Sequence, residues 1–294
     1  MSLRRITATL LVASALVVSG CSRTDPIEEI PDFAVDTPDV KLISAGEGDK
    51  EQLVYSFSPQ ESEITVSYAA HQGAVATDKV SVEAPAGGDV EQVTLPLSVA
   101  VVDGNVAEFT VGEPKHSNLD TGTEALTAEG FRMRWTTDVQ GQIEDIKLLP
   151  PEGSSDEGRA VIERALLQII STNPVFPVEP VGVGATWSVE TRTLGETNMR
   201  RTTTYSLTSR DGNTVTLDVQ VQEEPAKKTL NLDGEDNLTA EEWSTTSQGT
   251  ITVDLNKLLP IAGENAATTR TVYAGPNPDF KVVQDMTTAT TYKK

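Results

Sequence analysis

The chain is poor in the residues that most often carry enzyme chemistry. Its 294 residues include one cysteine, Cys21, and two histidines, His71 and His116. A single thiol can form no disulfide within the chain, and a zinc site built from several thiolates is excluded. The histidines lie far apart, one in a Gly/Ala-rich stretch and one in a polar segment, so we expect neither to be catalytic.

Several enzyme signatures are also missing. The sequence contains no H-E-x-x-H motif, no G-x-S-x-G motif and no phosphate-binding loop. We therefore predict no catalytic residue, no metal site and no cofactor, and we interpret the chain as a non-enzymatic protein. Its 44 acidic residues make some carboxylate pair inevitable, so an enzyme of unrecognised type stays open as an alternative.

Positive charge is scarce. The chain has 23 Lys and Arg against 44 Asp and Glu, and its formal charge is −21. A nucleic-acid partner needs a basic stripe that displaces counterions, so we expect no binding to nucleic acid. The same charge disfavours close contact with anionic lipid head groups. Solubility is the simplest use of this acidity.

The N-terminus has the layout of a secretory signal. Arg4 and Arg5 precede an apolar run from Ile6 to Val18, which is too short to span a bilayer. The segment Val18-Ser19-Gly20-Cys21 follows, and it resembles the lipobox of bacterial lipoproteins. The resemblance implies cleavage between Gly20 and Cys21 and a diacylglyceryl group on the Cys21 thiol. We expect residues 1–20 to be removed and the mature protein to be anchored by this lipid on the extracytoplasmic face of the cell membrane.

The stretch after the cysteine is acidic and proline-rich. Its charged and proline residues include Arg23, Asp25, Pro26, Glu28, Glu29, Pro31, Asp32, Asp36, Pro38, Asp39 and Lys41. Excess charge and low hydrophobicity keep a segment extended. We therefore predict a lipidated Cys and a flexible tether over residues 21–48.

Alternation of apolar and polar residues dominates the remainder and predicts half-buried strands. The clearest examples are Phe131, Met133 and Trp135; Val215, Leu217 and Val219; and Ile251, Val253 and Leu255. Asp103-Gly104-Asn105 and Asp211-Gly212-Asn213 lie between such runs and predict hairpin turns. We expect the three tryptophans, Trp135, Trp187 and Trp243, to be largely buried.

Six short blocks recur in the same order at offsets of 108 to 113 residues and indicate an internal duplication. The pairs are 103–105 with 211–213, 118–120 with 231–233, 126–129 with 238–241, 136–137 with 245–246, 140–141 with 248–249, and 147–150 with 257–260. This alignment matches Phe131 with Trp243 and Gly141 with Gly249. We predict an α+β, mostly β protein of two related antiparallel units, residues 49–150 and 181–294, arranged as a curved sheet or a sandwich.

The connector, residues 151–180, contains the best helix pattern in the chain. Ser154, Ser155 and Asp156 are candidate N-caps, and apolar residues recur at helical spacing up to Ile170. Pro174 and Pro177 prevent the helix from continuing. We expect one helix around residues 156–171 that covers a sheet with its apolar side.

Val181-Gly182-Val183-Gly184-Ala185-Thr186-Trp187 is the most distinctive motif, and its glycines are not followed by a helix pattern as a dinucleotide site requires. Over about residues 155–190 the sequence resembles a family of uncharacterised secreted lipoproteins of high-GC Gram-positive bacteria. The resemblance implies a β-rich extracytoplasmic domain and supplies no activity. From the residues alone, we expect this Pro/Gly-shaped segment to deliver Trp187 into the core.

The acidic segment 231–237 invites a calcium interpretation, but it fails the EF-hand spacing, and a solvated turn is the simpler hypothesis. Three functions stay open. The first is a membrane-anchored binding module without enzymatic activity, whose ligand is apolar or whose partner is another envelope protein. The others are an enzyme acting on wall polymer and a purely structural protein.

Overall fold

The computed structural model describes residues 25–192, 199–230 and 237–293. Two α-helices, α1 (Leu119–Leu126) and α2 (Asp156–Thr172), accompany fifteen strands. The strands are β1 (Phe33–Ala34), β2 (Asp39–Glu51), β3 (Gln60–Ala76), β4 (Glu91–Asp103), β5 (Val106–Val111), β6 (Lys115–His116), β7 (Arg132–Thr137), β8 (Ile143–Leu149), β9 (Val181–Arg192), β10 (Met199–Asp211), β11 (Thr214–Pro225), β12 (Thr229–Leu230), β13 (Leu238–Asp254), β14 (Ala262–Ala274) and β15 (Phe280–Lys293).

All strands belong to one antiparallel sheet, which confirms the predicted α+β, mostly β class. Its order is β1-β8-β7-β5-β4-β3-β15-β14-β13-β11-β10-β9-β2, with β6 beside β4 and β12 beside β13. Of the two predicted arrangements, the fold is therefore the continuous sheet.

The sheet curls until its two ends come close together. Its end strands β1 and β2 are separated only by residues 35–38, and that connection spans at most about 18 Å. Strand β1 pairs with β8 and strand β2 pairs with β9. The strands β8 and β9 therefore face each other across a gap, here called the seam, and residues 25–51, here called the strap, bridge it.

The strap differs from the flexible tether expected over residues 21–48. From residue 25 onward it is part of the fold, because its carboxylates find basic partners about a hundred residues away. Asp25 pairs with Arg132 at 2.7 Å, Glu28 pairs with Arg134, and Ile27 is fully buried between them. A count of local charge and hydropathy cannot detect such partners.

The two β units have the same strand order, β4-β5-β7-β8 in the first and β10-β11-β13-β14 in the second. The turns at Gly104 and Gly212 both have positive φ and join equivalent hairpins. Val106 lies opposite Thr136 and Thr214 lies opposite Asp254, so the pairing register makes Thr136 equivalent to Asp254.

This register corrects the residue matches made from the repeated blocks. It places Trp135 and Val253 at equivalent positions. Trp135 lies opposite Ala107, the second residue of β5, and Val253 lies opposite Val215, the second residue of β11. Gly141 lies in the β7–β8 turn, whereas Gly249 lies within β13 opposite Asn265. Phe131 precedes β7, whereas Trp243 lies well inside β13, because β13 is continuous where the first unit makes a turn.

The helix α2 begins and ends where the sequence predicts. The Ser155 hydroxyl caps it by accepting a hydrogen bond from the Gly158 N–H at 3.0 Å. Its apolar face is buried in one continuous core with the inner face of the sheet; these helix residues are Ile162, Ala165, Leu166, Ile169 and Ile170. No helix of the described ranges is long and apolar enough to cross a membrane.

The tryptophans follow the prediction in two cases of three. Trp135 and Trp187 are fully buried. Trp243 is only half-buried, and the Lys228 ammonium lies 5.1 Å from the centre of its ring. The repeated-block alignment matches Trp243 with Phe131, but Trp243 actually lies within the long strand β13.

Candidate functional site

A cavity of about 50 Å³ lies at the seam, beside the last turn of α2. The strap, the end of α2 and the facing strands β8 and β9 all contribute residues to its wall. Its apolar lining consists of Val35, Pro38, Ile143, Ile170, Val175 and Val189. Its polar lining consists of Asp36, Ser171, Asn173, Thr191, Arg192, Thr203 and Tyr205.

The cavity opens into a polar groove of about 520 Å³ on the surface. Asp36, Thr191 and Arg192 line both spaces, so the groove is the mouth of the cavity. The cavity alone has room for a few water molecules or one small chemical group. With its mouth it reaches the size of ordinary small-molecule sites, roughly 300–1,000 Å³.

Asn173 is the unusual residue of the cavity wall. Its side chain is 6% exposed, and its Oδ1 has no hydrogen-bond partner. It follows α2 as the C-cap, but only its backbone N–H serves the helix, through a bond to Ile170. Its extended φ and ψ, −67° and 132°, are accessible to most residues and are favoured before Pro174. Neither helix capping nor backbone geometry therefore requires an asparagine here.

Aromatic packing fixes the opposite wall. Tyr205 on β10 pairs with Trp187 on β9, and their rings stack with centres 5.6 Å apart. The Trp187 indole N–H donates to the Val175 carbonyl at 2.9 Å, which ties the wall to the segment after α2. Burial raises the pKa of Tyr205 well above its usual value. Its phenol is consequently neutral and can both donate and accept a hydrogen bond.

The V-G-V-G-A-T-W motif brings the strap onto this wall. A Cβ on Gly182 would lie 2.1 Å from the Glu47 carbonyl oxygen, and a Cβ on Gly46 would lie 2.4 Å from the Gly182 oxygen. Only glycine permits such close approach of β2 to β9. Trp187 is delivered into the core, as the sequence predicts.

Both signs of charge meet at the mouth. Asp36, Asp39, Glu190, Arg192 and Arg200 line the groove. Arg200 already pairs with Glu190 at 3.6 Å and with Glu224 at 3.1 Å. Among the residues that the structure describes, Asp36, Asp39 and Arg192 make no ion pair. These three side chains can therefore turn toward a ligand at no cost to an existing pair.

A second polar region lies on the inner face of the sheet. Arg201 and Glu223 form a buried pair on β10 and β11 with 3.1 Å between Nε and Oε1, although the N–H is not aimed at the carboxylate. Thr172 of α2 is 3.1 Å from the Tyr292 hydroxyl, and burial raises the pKa of Tyr292 to about 12. Asn265 also has an unpartnered Oδ1, but it does not line the seam cavity.

The candidates taken from the sequence are not brought together. Gly20, Cys21 and residues 231–236 lie outside the described residues. His71 is exposed on β3, and His116 Nδ1 accepts a hydrogen bond from the Asn118 backbone N–H at 3.0 Å. Within the described ranges, no three His, Cys, Asp or Glu side chains are placed to hold a metal ion. Sequence reasoning missed Asn173 and Asp36, since an Asn-Pro step after a helix and an acid in a Pro-rich stretch are ordinary features.

A protein-family model described as a family of unknown function, DUF6263, matches residues 164–258, about a third of the chain. The matched stretch includes Asn173, Tyr205 and the glycine-rich motif, and it excludes the strap and the first β unit. No curated protein matches the sequence.

Proposed function

We propose that this protein is a lipoprotein of the extracytoplasmic membrane face that binds a small ligand at the seam without converting it. The observation that carries the proposal is the buried, unpartnered Asn173 Oδ1 in the wall of a cavity. A buried acceptor without a partner is costly, so folded proteins rarely keep one unless water or a ligand satisfies it. No feature of the local backbone requires an asparagine at position 173.

The anchor rests on the lipobox-like segment ending at Cys21. Three residues, 22–24, separate that cysteine from the folded strap. Such a connection spans at most about 14 Å from Cys21 to Asp25, so an acylated Cys21 would hold the beginning of the strap close to the membrane surface. Two acyl chains are enough for stable attachment, where one is only marginal.

Substitution Cys21→Ala tests the anchor. The variant should incorporate no labelled fatty acid and should leave the membrane fraction, because the thiol is the only acceptor. A Ser19→Ala variant keeps the thiol and serves as the control. Label in the Cys21→Ala variant would contradict the lipoprotein assignment.

A small ligand fits the seam better than a lipid. The apolar face of α2 is already packed against the sheet, so an acyl chain would have to displace core residues. The seam cavity of about 50 Å³ is also too small for a chain. An apolar ligand, one of the options from the sequence, is therefore less well supported than a compact polar one.

Native mass spectrometry of the full-length lipoprotein, extracted from its own membranes in mild detergent, tests ligand binding. We expect a non-covalent small molecule that is released on unfolding and is absent from an Asn173→Leu variant. Hydrolysis of purified wall polymer that is lost in an Asp36→Asn variant would overturn the proposal in favour of an enzyme.

A further inference from the structure

We infer that residues 69–76 of β3, here called the free edge, form an antiparallel strand pair with the free edge of a second copy of this chain. Strand β3 pairs with β15 from Glu63 to Ala76, but it pairs with β4 only from Gln60 to Tyr68. In the part of the chain that the structure describes, no strand pairs with the other side of the free edge. Over these residues β3 is therefore an end strand, although it lies in the middle of the sheet elsewhere.

The free edge is open to solvent. Residues 70–74 are all exposed, and a Cβ on Gly73 would meet no atom within 4 Å. A strand that is paired on one side alone leaves the backbone N–H and C=O groups of alternate residues without a partner on the other side. Where β11 and β13 are no longer paired, a side chain fills this role, since the Val221 N–H donates to the Ser247 hydroxyl at 2.9 Å. Among the described residues, no side chain bonds in this way to the backbone of the free edge.

The free edge also lacks the charges that protect the other long end strand, β2. Its sequence is Ala69-Ala70-His71-Gln72-Gly73-Ala74-Val75-Ala76, without Asp, Glu, Lys, Arg or Pro. The charged residues of β2 are Asp39, Lys41, Glu47, Asp49, Lys50 and Glu51. Charged side chains on an end strand keep it from pairing with other chains. Strand β2 is thus guarded, whereas the free edge is suited to accept a further strand.

The geometry of β3 fits a second copy. Two identical antiparallel strands are related by a two-fold axis, so that one residue lies opposite itself. With the axis at Gly73, residues 70–76 of the two copies pair, and no Asp, Glu, Lys or Arg lies opposite another. An incoming strand must end near Tyr68, where β4 begins to occupy the edge. The strand of a second copy does end there, because the chain turns into a short 3-10 helix at Thr77–Lys79.

The pairing should be reversible and should strengthen with salt. A single strand pair buries less surface than the roughly 1,200–2,000 Å² of a stable interface. The two copies also repel each other, because each has a formal charge of −21 over the full chain. Salt screens that repulsion, with a Debye length of about 8 Å at 0.15 M, and affects backbone hydrogen bonds much less. A basic partner at this edge would instead bind more weakly as the salt concentration rises.

Cysteine cross-linking of the full-length protein in isolated membranes tests the contact. Gly73→Cys should form a disulfide-linked dimer on mild oxidation, because the two thiols lie opposite each other at the two-fold axis. Ser44→Cys, at an exposed position of β2, is the matched control and should not cross-link. The wild type should not cross-link either, which excludes a contribution of Cys21.

Sedimentation velocity of the purified full-length protein in detergent measures the equilibrium. We expect a monomer–dimer equilibrium that tightens with salt. Gln72→Lys should weaken it by about fivefold or more, because two like charges then lie close together across the strand pair. Ser44→Lys changes the net charge equally and should alter the equilibrium by less than about twofold. Thermal unfolding checks that both lysine variants are folded.

The contrary results are distinct. A monomer at every protein and salt concentration, without a cross-link in Gly73→Cys, would overturn the self-association. Equal cross-linking of Ser44→Cys and Gly73→Cys, or equal weakening by the two lysine variants, would overturn the placement of the contact at the free edge. Association that weakens with salt would show a contact between opposite charges and would also overturn the strand pair.

Discussion

The two halves of the sheet share a strand order, but each has a cross-strand ion pair on a different face. In the first unit, Arg132 and Glu108 form a cross-strand pair on the outer face of β7 and β5, with side chains 24% and 15% exposed. In the second unit, Arg201 and Glu223 form a cross-strand pair on β10 and β11 with 4% and 9% exposed. This second pair points inward, among the threonines that face α2.

The difference shows that the same β-meander topology can enclose an apolar interior in one unit and a partly polar interior in the other. The inner face of the first unit is mostly apolar and includes Leu95, Leu97, Phe109, Met133 and Trp135. The inner face of the second unit adds Thr269, Thr290 and Arg201 to its apolar residues. Both units contribute to the apolar core, and the second also gives α2 hydrogen-bonding partners in Thr290 and Tyr292. The seam site lies where the two halves meet.

Substitution of Trp135 should have the largest effect in the apolar half. Its ring is fully buried and meets Phe109 edge-on at 4.2 Å. Trp135→Ala should destabilise the protein by about 3–5 kcal/mol. Trp243→Ala, at a half-buried site, should cost only about 1–2 kcal/mol. Denaturant titration of both variants measures the contrast, and equal losses would contradict the difference in burial between Trp135 and Trp243.

Breaking the buried pair should have an effect of similar size in the polar half, of about 3–5 kcal/mol. Arg201→Leu leaves Glu223 buried without its partner. The double variant Arg201→Leu with Glu223→Leu removes both charges and should recover most of the loss. If the double variant is as unstable as Arg201→Leu, the loss of stability comes from altered packing and not from the unpaired charge of Glu223.

Local sequence patterns predicted the strands, α2 and the hairpin turns well, because each of these elements depends on residues that are close together in the chain. The period-2 alternation of Val215 to Val221 gives a strand buried on one face, and Ser155 caps α2. The Asp-Gly-Asn turns join equivalent hairpins. Each of these features is set by backbone geometry within a few residues.

The failures all involve partners distant in sequence. The strap looked like a tether because Arg132, Arg134 and Lys147 lie more than a hundred residues from its carboxylates. The repeated blocks gave the wrong residue matches because some identical blocks, such as 140–141 and 248–249, fall in a turn in one unit and in a strand in the other. Asn173 could not be singled out, since only the folded cavity reveals that its oxygen lacks a partner.

A smaller effect tests whether the polar interior contributes to the attachment of α2. The Tyr292 hydroxyl lies 3.1 Å from Thr172 on the helix. Tyr292→Phe removes this hydrogen bond and keeps the ring, so it should cost about 1 kcal/mol. Thr172 retains its bond to the Gln168 carbonyl at 2.9 Å, which limits the loss. Chemical denaturation measures it, and no change would mean that the Tyr292 hydroxyl does not contribute to the attachment of α2.

The smallest effect concerns the outer charges of the first unit and depends on pH. The Arg132 guanidinium donates to Asp25 and, with the Ile27 N–H, lowers the pKa of that carboxyl from 3.8 to about 2. A lowered folded-state pKa stabilises the docked strap above pH 3.8, and this contribution is lost as the pH falls through about 2.

Asp25→Asn removes the titration and keeps the shape. The thermal midpoint of the wild type should exceed that of the variant at neutral pH, and the difference should shrink between about pH 4 and pH 2. High salt should reduce it too, because the Asp25 side chain is 43% exposed and its ion pair is screened. The inward pair of Arg201 and Glu223 is shielded from solvent, so its double variant should show much weaker salt dependence. A difference between the wild type and Asp25→Asn that stays constant down to pH 2 would exclude the carboxylate as the group that docks the strap.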